Sequence, residues 1–209
     1  MVVPDSSRLH QVGNQMSSLA SHNHIVRSYF DIARKITQEA AGSASDTDRR
    51  SKSAVSVLMA VAAVEAYINI FGRMWIEQAP AFSNAGMIAE DLNKRKSITH
   101  KIRTWPKLFF GKGLDLSSGA GREFLDLIEK RNRLMHFTSE YHAVQFENIT
   151  IKGLIDITAF DSLAPKDAEE AIYIAEGFIE AWIRLQGLQE NHVKSATATW
   201  TGNIVRYAI

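Results

Sequence analysis

Arg131, Asn132 and His136 are the residues of this chain best suited to chemistry. They close the segment Arg122 to His136, whose apolar residues Phe124, Leu125, Leu127, Ile128, Leu134 and Met135 recur at helical spacing. Arg131 lies three and four residues after Ile128 and Leu127, and three and four before Leu134 and Met135. Side chains at those spacings share one helix face. The guanidinium is therefore expected inside the apolar stripe, a costly place for an unpaired cation. Asn132 and His136 are four apart and project to one side together. An imidazole titrates near neutrality and can take or give a proton. A guanidinium is always charged, and its planar fork matches phosphate oxygens. An amide can orient the imidazole or donate to a phosphate oxygen. The set holds the parts for moving protons beside a phosphate. A structural account competes with it: a His near a helix end can meet the last carbonyls, and an Arg can snorkel.

The elements that must position this set come next. Asp46 and Thr47 are good caps for a helix from about Asp48 to Gln78, stopping before Pro80. Its centre, Ala54 to Phe71, is apolar almost all round and reads as a core helix. Glu65 and Asn69 are exceptions, four apart on one face. A buried carboxylate needs a partner, and the inward cation on offer is Arg131, so Glu65 and Arg131 are expected to meet, directly or through one water. The same segment is the one membrane candidate. It is short for a span and carries a charge that is costly in lipid, so no membrane is expected.

A second cationic feature lies between these helices. Lys94 to Lys107 holds six Lys and Arg and no acidic residue, with Trp105 among them. Lys101, Arg103 and Lys107 beside a stackable ring suit a nucleic-acid backbone. A solvated face with Trp105 anchored in the core explains the same pattern equally well. Short helices are expected over 87–94 and 97–104, the second broken at Trp105-Pro106. Gly111-Lys112-Gly113 lacks the leading Gly and trailing Ser or Thr of a phosphate loop.

Elsewhere, residues 1–16 read as a flexible lead-in. A first helix runs from Ser17 or Ser18 to Gly42 with Ile25, Tyr29, Ile32 and Ile36 on its buried face. Val144 to Ile157 alternates around a turn at Lys152-Gly153, suggesting a small β-hairpin. Pro165 opens a long helix with Ile172, Ala175, Ile179 and Trp182 inward. Residues 17–192 are read as the bundle. Residues 193–209, which alternate Thr, Trp and Val and turn at Gly202-Asn203, are read as a β-like arm. The expected fold is mainly α: an antiparallel bundle of four or five helices with a minor β-hairpin element.

Composition narrows the function classes. With 209 residues, 45% hydrophobic, the chain suits one domain, and its net charge of +1 offers no global basic field for nucleic acid. The absence of cysteine excludes disulfides, thiolate metal sites and cysteine nucleophiles, and fits a reducing cytoplasm. His22 and His24 have no second ligand pair at matching spacing and read as surface residues. No metal and no cofactor are expected. Met1 to Ser18 is polar, so no leader is expected, and Asn148-Ile149-Thr150 is then a chance glycosylation match.

Arg131-Asn132-Arg133-Leu134-Met135-His136 resembles the motif of the HEPN superfamily: Arg, a polar residue, then His four to six residues after the Arg, on the last turns of a bundle helix. Ala62-Ala63-Val64-Glu65-Ala66-Tyr67-Ile68-Asn69 is similar to the apolar-Glu-Ala helix of bacterial members, and Lys107-Leu108-Phe109-Phe110-Gly111-Lys112 to the connection between the two helices. The similarity spans about residues 50–185. It implies a helical bundle, usually dimeric, and in many members a metal-independent endoribonuclease acting as a toxin or phage-defence effector. Other members are non-catalytic nucleotide-, RNA- or protein-binding modules. On this reading Arg131, His136 and Asn132 are catalytic, and Glu65 and Asn69 support them. Arg133, Lys101, Arg103 and Lys107 bind RNA. The partners are RNA, a second copy of the chain, and an antitoxin or other protein. The chemistry agrees: RNA carries its own nucleophile, the 2′-hydroxyl, and a symmetric dimer would bring two copies of Arg131 and His136 to one cleft.

Overall fold

The computed structural model describes residues 21–79, 82–135, 142–146, 149–154 and 157–207. It is mainly helical. In chain order the elements are α1 (His24–Gly42), α2 (Asp46–Gln78), α3 (Ala85–Asn93), α4 (Ile98–Phe110), α5 (Gly119–Met135), β1 (His142–Phe146), β2 (Ile149–Leu154), α6 (Thr158–Asp161), α7 (Pro165–Arg184) and α8 (Glu190–Thr201). The lead-in over residues 1–16, the helix start expected at Ser17 or Ser18, and His136 lie outside the described residues.

α2 is the central helix. Ser45, rather than Asp46 or Thr47, caps it, accepting the Asp48 N–H. It is long and apolar enough to cross a membrane by length and composition alone. Here its apolar side chains meet α1 on one side and α7 on another, with Val57, Val64 and Tyr67 fully buried. An aromatic group of Tyr67, Phe71, Phe109 and Trp182 ties α2 to α4 and α7.

α1 buries a different face from the one its isoleucines suggest. Val26, Phe30, Ala33, Thr37 and Ala40 are inside, whereas Ile25 and Ile32 are exposed. The two candidate stripes are one residue apart. The winning one carries small Ala33 and Ala40, which let the helices approach, and a polar match: Thr37 and Ser56 hydroxyls meet at 2.7 Å between the two helices.

α4 runs through Trp105-Pro106 instead of breaking there. An interior proline costs about 3 kcal/mol. Burying one large aromatic side chain is worth roughly as much, since truncating one costs about 3–5 kcal/mol, and Trp105 is fully buried. Gly72 makes room for it: a Cβ there would lie 2.6 Å from the Trp105 ring. Trp105 is thus the core anchor and no platform for a base.

The tail also differs from expectation. Glu190–Thr201 is a helix, not a β-like arm. Its β-branched threonines turn their hydroxyls back onto carbonyls one turn earlier, Thr197 to Val193 at 2.8 Å and Thr201 to Thr197 at 2.9 Å. Val193, Thr197 and Thr201 form the buried stripe, and Trp200 sits edge-on to Tyr67 at 4.9 Å. Packing overrides strand propensity here. Gly202, expected in a hairpin turn, is the left-handed C-cap of α8.

β1 and β2 pair antiparallel, with Val144 opposite Ile151 and Phe146 opposite Ile149. Lys152-Gly153 lies within β2 rather than at a turn. The register shifts by one between His142 and Val144, opposite this dipeptide. A glycine inside a strand marks such an irregularity.

Candidate active site and its supports

α5 ends in the Arg131-Asn132-Arg133 turn. Phe124, Leu127 and Ile128 bury its inner face, but the stripe does not continue to the end: Leu134 is half-buried and Met135 exposed. Arg131 therefore stands where the buried stripe meets the surface. Its Nε is inaccessible to solvent and has no hydrogen-bond partner among the described residues. Among the described residues no acid lies within ion-pair distance of its guanidinium, whereas its neighbours on either side are paired. Lys130 bonds to Asp167 at 2.6 Å and so ties α5 to the start of α7. Asp167 also accepts the Ala164 N–H at 2.8 Å. Burial alone would raise the Asp167 pKa, but these two donors and the Lys130 charge outweigh it and hold the carboxyl below its usual range. Arg133 is exposed, with Glu129 3.9 Å away one turn back, and Asn132 is exposed too. Three cations in the last turns also complement the helix dipole.

The expected Glu65–Arg131 ion pair is not formed. Glu65 is half-buried on α2, and the cation whose charge it favours is Lys101 on α4. Lys101 is only 3% exposed, so it is an internal residue and not a surface RNA contact. Its Nζ donates to Asn69 Oδ1 at 2.7 Å and lies 5.4 Å from the Trp105 ring centre. Burial pushes the Lys101 pKa down and the nearby Arg73 charge adds to this, while the Glu65 and Asp91 carboxylates oppose it. Asp91 in turn accepts Trp105 Nε1 at 3.0 Å and meets His100 Nε2 at 3.0 Å. Glu65, Asn69 and Lys101 are thus brought together across α2 and α4, and Arg131 is left without an acid.

Arg103 and Lys107, on the opposite face of α4, are exposed and make no ion pair among the described residues. His22 and His24 are exposed and line a shallow cavity of about 310 Å³ with Arg73 and Glu77.

One buried cluster is not anticipated by the motifs above. Glu176 on α7 is 1% exposed and accepts from Arg34 at 2.6 Å, Arg206 at 2.8 Å and Asn203 at 3.0 Å. Arg34 also donates to the Thr201 carbonyl at 2.8 Å, and Arg206 covers the Tyr173 ring at 3.8 Å. The cluster borders a cavity of about 330 Å³ and clasps the turn after α8 onto α1 and α7. A signal was present: Glu176 lies four residues after Ile172 and three before Ile179, inside that helix's apolar stripe.

No protein-family model matches this chain, and neither a curated protein nor a solved structure matches it significantly.

Proposed function

We propose that the chain is a metal-independent endoribonuclease of the HEPN type, built on an antiparallel bundle of α1, α2, α5 and α7. The observation that carries this reading is the Arg131 guanidinium, partly withdrawn from water with a buried Nε that no group among the described residues accepts. A cation placed so keeps its charge for an anion, and a phosphate fits its fork. The 2′-hydroxyl attacks the adjacent phosphorus and gives its proton to His136. The bond to the 5′-oxygen breaks, that oxygen takes a proton, and the products carry a 2′,3′-cyclic phosphate and a 5′-hydroxyl. Arg131 stabilises the charge growing on the phosphate, and Asn132 orients His136.

One imidazole cannot serve both sides of the phosphorus at once. The working unit is therefore a homodimer that brings two copies of Arg131 and His136 to one cleft. A strict monomer by light scattering that is still fully active would rule this out. Arg133, Arg103 and Lys107 contact RNA, while Glu65 and Asn69 serve the α2–α4 contact through Lys101. The chain would act in the cytoplasm as a toxin or phage-defence effector with an antitoxin as protein partner. A non-catalytic module that binds a nucleotide, RNA or protein through the same cation is the second reading, favoured by the net charge of only +1.

Incubation of the purified protein with total RNA in EDTA separates the two. Cleavage that disappears in both Arg131→Ala and His136→Ala supports the enzyme. Cleavage that persists in both variants, or that EDTA abolishes, refutes the assignment.

A further inference from the structure

The outward face of α4 carries cations that no ion pair among the described residues uses. From Leu92 to Leu114 there is no Asp or Glu. Lys101 is spent inside the core, and Lys94 pairs with Glu90 at 2.5 Å. Arg95, Lys96, Arg103, Lys107 and Lys112 remain exposed, with no hydrogen bond or ion pair from their side chains among the described residues. Arg103 and Lys107 are one turn apart, about 6 Å along the axis, and share a face. That face is opposite Ile98, Ile102, Trp105 and Phe109, which are buried. Lys96 stands just ahead of the Ser97 cap, seven residues before Arg103 or close to two helical turns.

The α3–α4 turn adds a second observation. Arg95 N–H bonds to the Leu92 carbonyl at 3.1 Å and Lys96 N–H to the Asp91 carbonyl at 3.0 Å, the two bonds of a Schellman helix end. Its left-handed position is normally glycine, yet Arg95 holds φ +50°, the one positive φ at a non-glycine among the described residues. A strained backbone at an exposed cation is a feature that folding alone does not call for.

We propose that this face is a track for the phosphodiester backbone of single-stranded RNA, contacted through Lys96, Arg103 and Lys107 with Arg95 and Lys112 at its ends. This rests on and deepens the reading that gives Arg103 and Lys107 to RNA, adding Lys96, Arg95 and Lys112 on a helix other than that of Arg131, and the track would hold a strand whether or not it is cut. The partner's class follows from the surroundings. Arg103 and Lys107 share one face, with Lys96 before the helix and Lys112 after it, so the cations are spread along the length of α4 as a linear polyanion requires. No large apolar side chain is exposed anywhere on α4 or the turn before it, so nothing is present to enter a bilayer or seat a protein's apolar anchor. Trp105 is buried, so no ring among these cations stacks a base. The strand is then held by its phosphates alone, with no sequence preference.

The test is fluorescence anisotropy with a labelled 2′-O-methyl RNA of about 20 nucleotides, longer than a usual single-strand site and unable to be cut through its 2′-oxygen. The triple variant Lys96→Gln, Arg103→Gln, Lys107→Gln should bind roughly tenfold or more weakly. Its slope of log K against log salt should be shallower by about 2, at about 0.7 for each phosphate of a single strand that is no longer neutralised. Arg131→Ala should keep most of the salt slope. Equal affinity of the triple variant and the parent protein, or no binding by the parent, would overturn the track. So would phosphatidylserine vesicles that bind the parent and lose the triple variant while RNA does not. RNA held by the track but never cut would sink the cleavage reading alone, and cutting indifferent to the triple variant would sink the track alone.

Discussion

Lys101 donates to Asn69 at 2.7 Å across the interface of α2 and α4. That bond fills the position on α2 where the pattern of charges leads one to expect Arg131, and it explains how a half-buried Glu65 can lack an arginine. Lys101→Met keeps most of the buried stem and strands the Asn69 carbonyl, which should cost about 1–3 kcal/mol. Urea denaturation should register it. A double-mutant cycle of Glu65→Gln with Lys101→Met should give a coupling of at least about 0.5 kcal/mol, as for residues in one network. The cycle of Glu65→Gln with Arg131→Met should give almost none. The reverse order would restore the Glu65–Arg131 pair.

Glu176 is held by two arginines and an asparagine. Removing one partner of a buried charge cluster costs about 3–5 kcal/mol. Arg34 and Arg206 keep about a quarter of their side chains exposed, so Glu176→Ala should fall at the low end, about 3 kcal/mol by urea denaturation. It should also open the chain after Gly202 to proteolysis. A change below about 1 kcal/mol, within the range of ordinary surface pairs, would mean the clasp does not hold the tail.

Arg95 occupies a left-handed position. Its strain is roughly 1–2 kcal/mol, and glycine's extra freedom in the unfolded chain returns part of that, roughly 0.5–1 kcal/mol. Arg95→Gly should therefore stabilise the protein by about 0.5–1 kcal/mol while weakening its binding to the 2′-O-methyl RNA. A variant of lower stability would show that the Arg95 side chain serves the fold instead.

Asp115 leads into α5, accepting the hydroxyls of Ser117 and Ser118, both at 2.6 Å, and the Ser117 N–H at 2.8 Å. These donors lower its pKa from 3.8 to about 2. A carboxyl with a depressed folded pKa stabilises above its unfolded value and loses that contribution as pH falls through the folded one. The difference in melting temperature between the parent protein and Asp115→Asn should be constant above about pH 5 and shrink as pH falls through 4 and then through 2. A difference that is as large at pH 2 as at pH 5 would mean the charged carboxylate is not what orders this turn.

The long helices were legible because burial periodicity is strong in them. α2 and α7 read out directly, Pro165 marking the start of α7 by backbone chemistry. What failed was decided by residues distant in sequence. The α1 face turned on Ser56 meeting Thr37, a choice between stripes one residue apart that hydropathy alone cannot make. α8 reads as strand by its threonines and becomes helix because Val193, Thr197 and Thr201 find α1 and α7 to pack on. Within the site, an inward Arg131 and an inward Glu65 were each readable from spacing. Their failure to meet was not, because the competing cation, Lys101, looked like one of several surface lysines. Its burial depends on Gly72 admitting Trp105, which draws that face of α4 against α2.

The central claim is that Arg131 holds the phosphate that the neighbouring 2′-hydroxyl attacks. Its most direct measurement compares cleavage, in EDTA, of one defined RNA and the same RNA carrying a single 2′-O-methyl group at the mapped cut. The account predicts a 2′,3′-cyclic phosphate end on the first, no cut at the blocked position on the second, and neither product from Arg131→Ala. Cleavage of the blocked position, or a 3′-hydroxyl end from the parent protein, would contradict it.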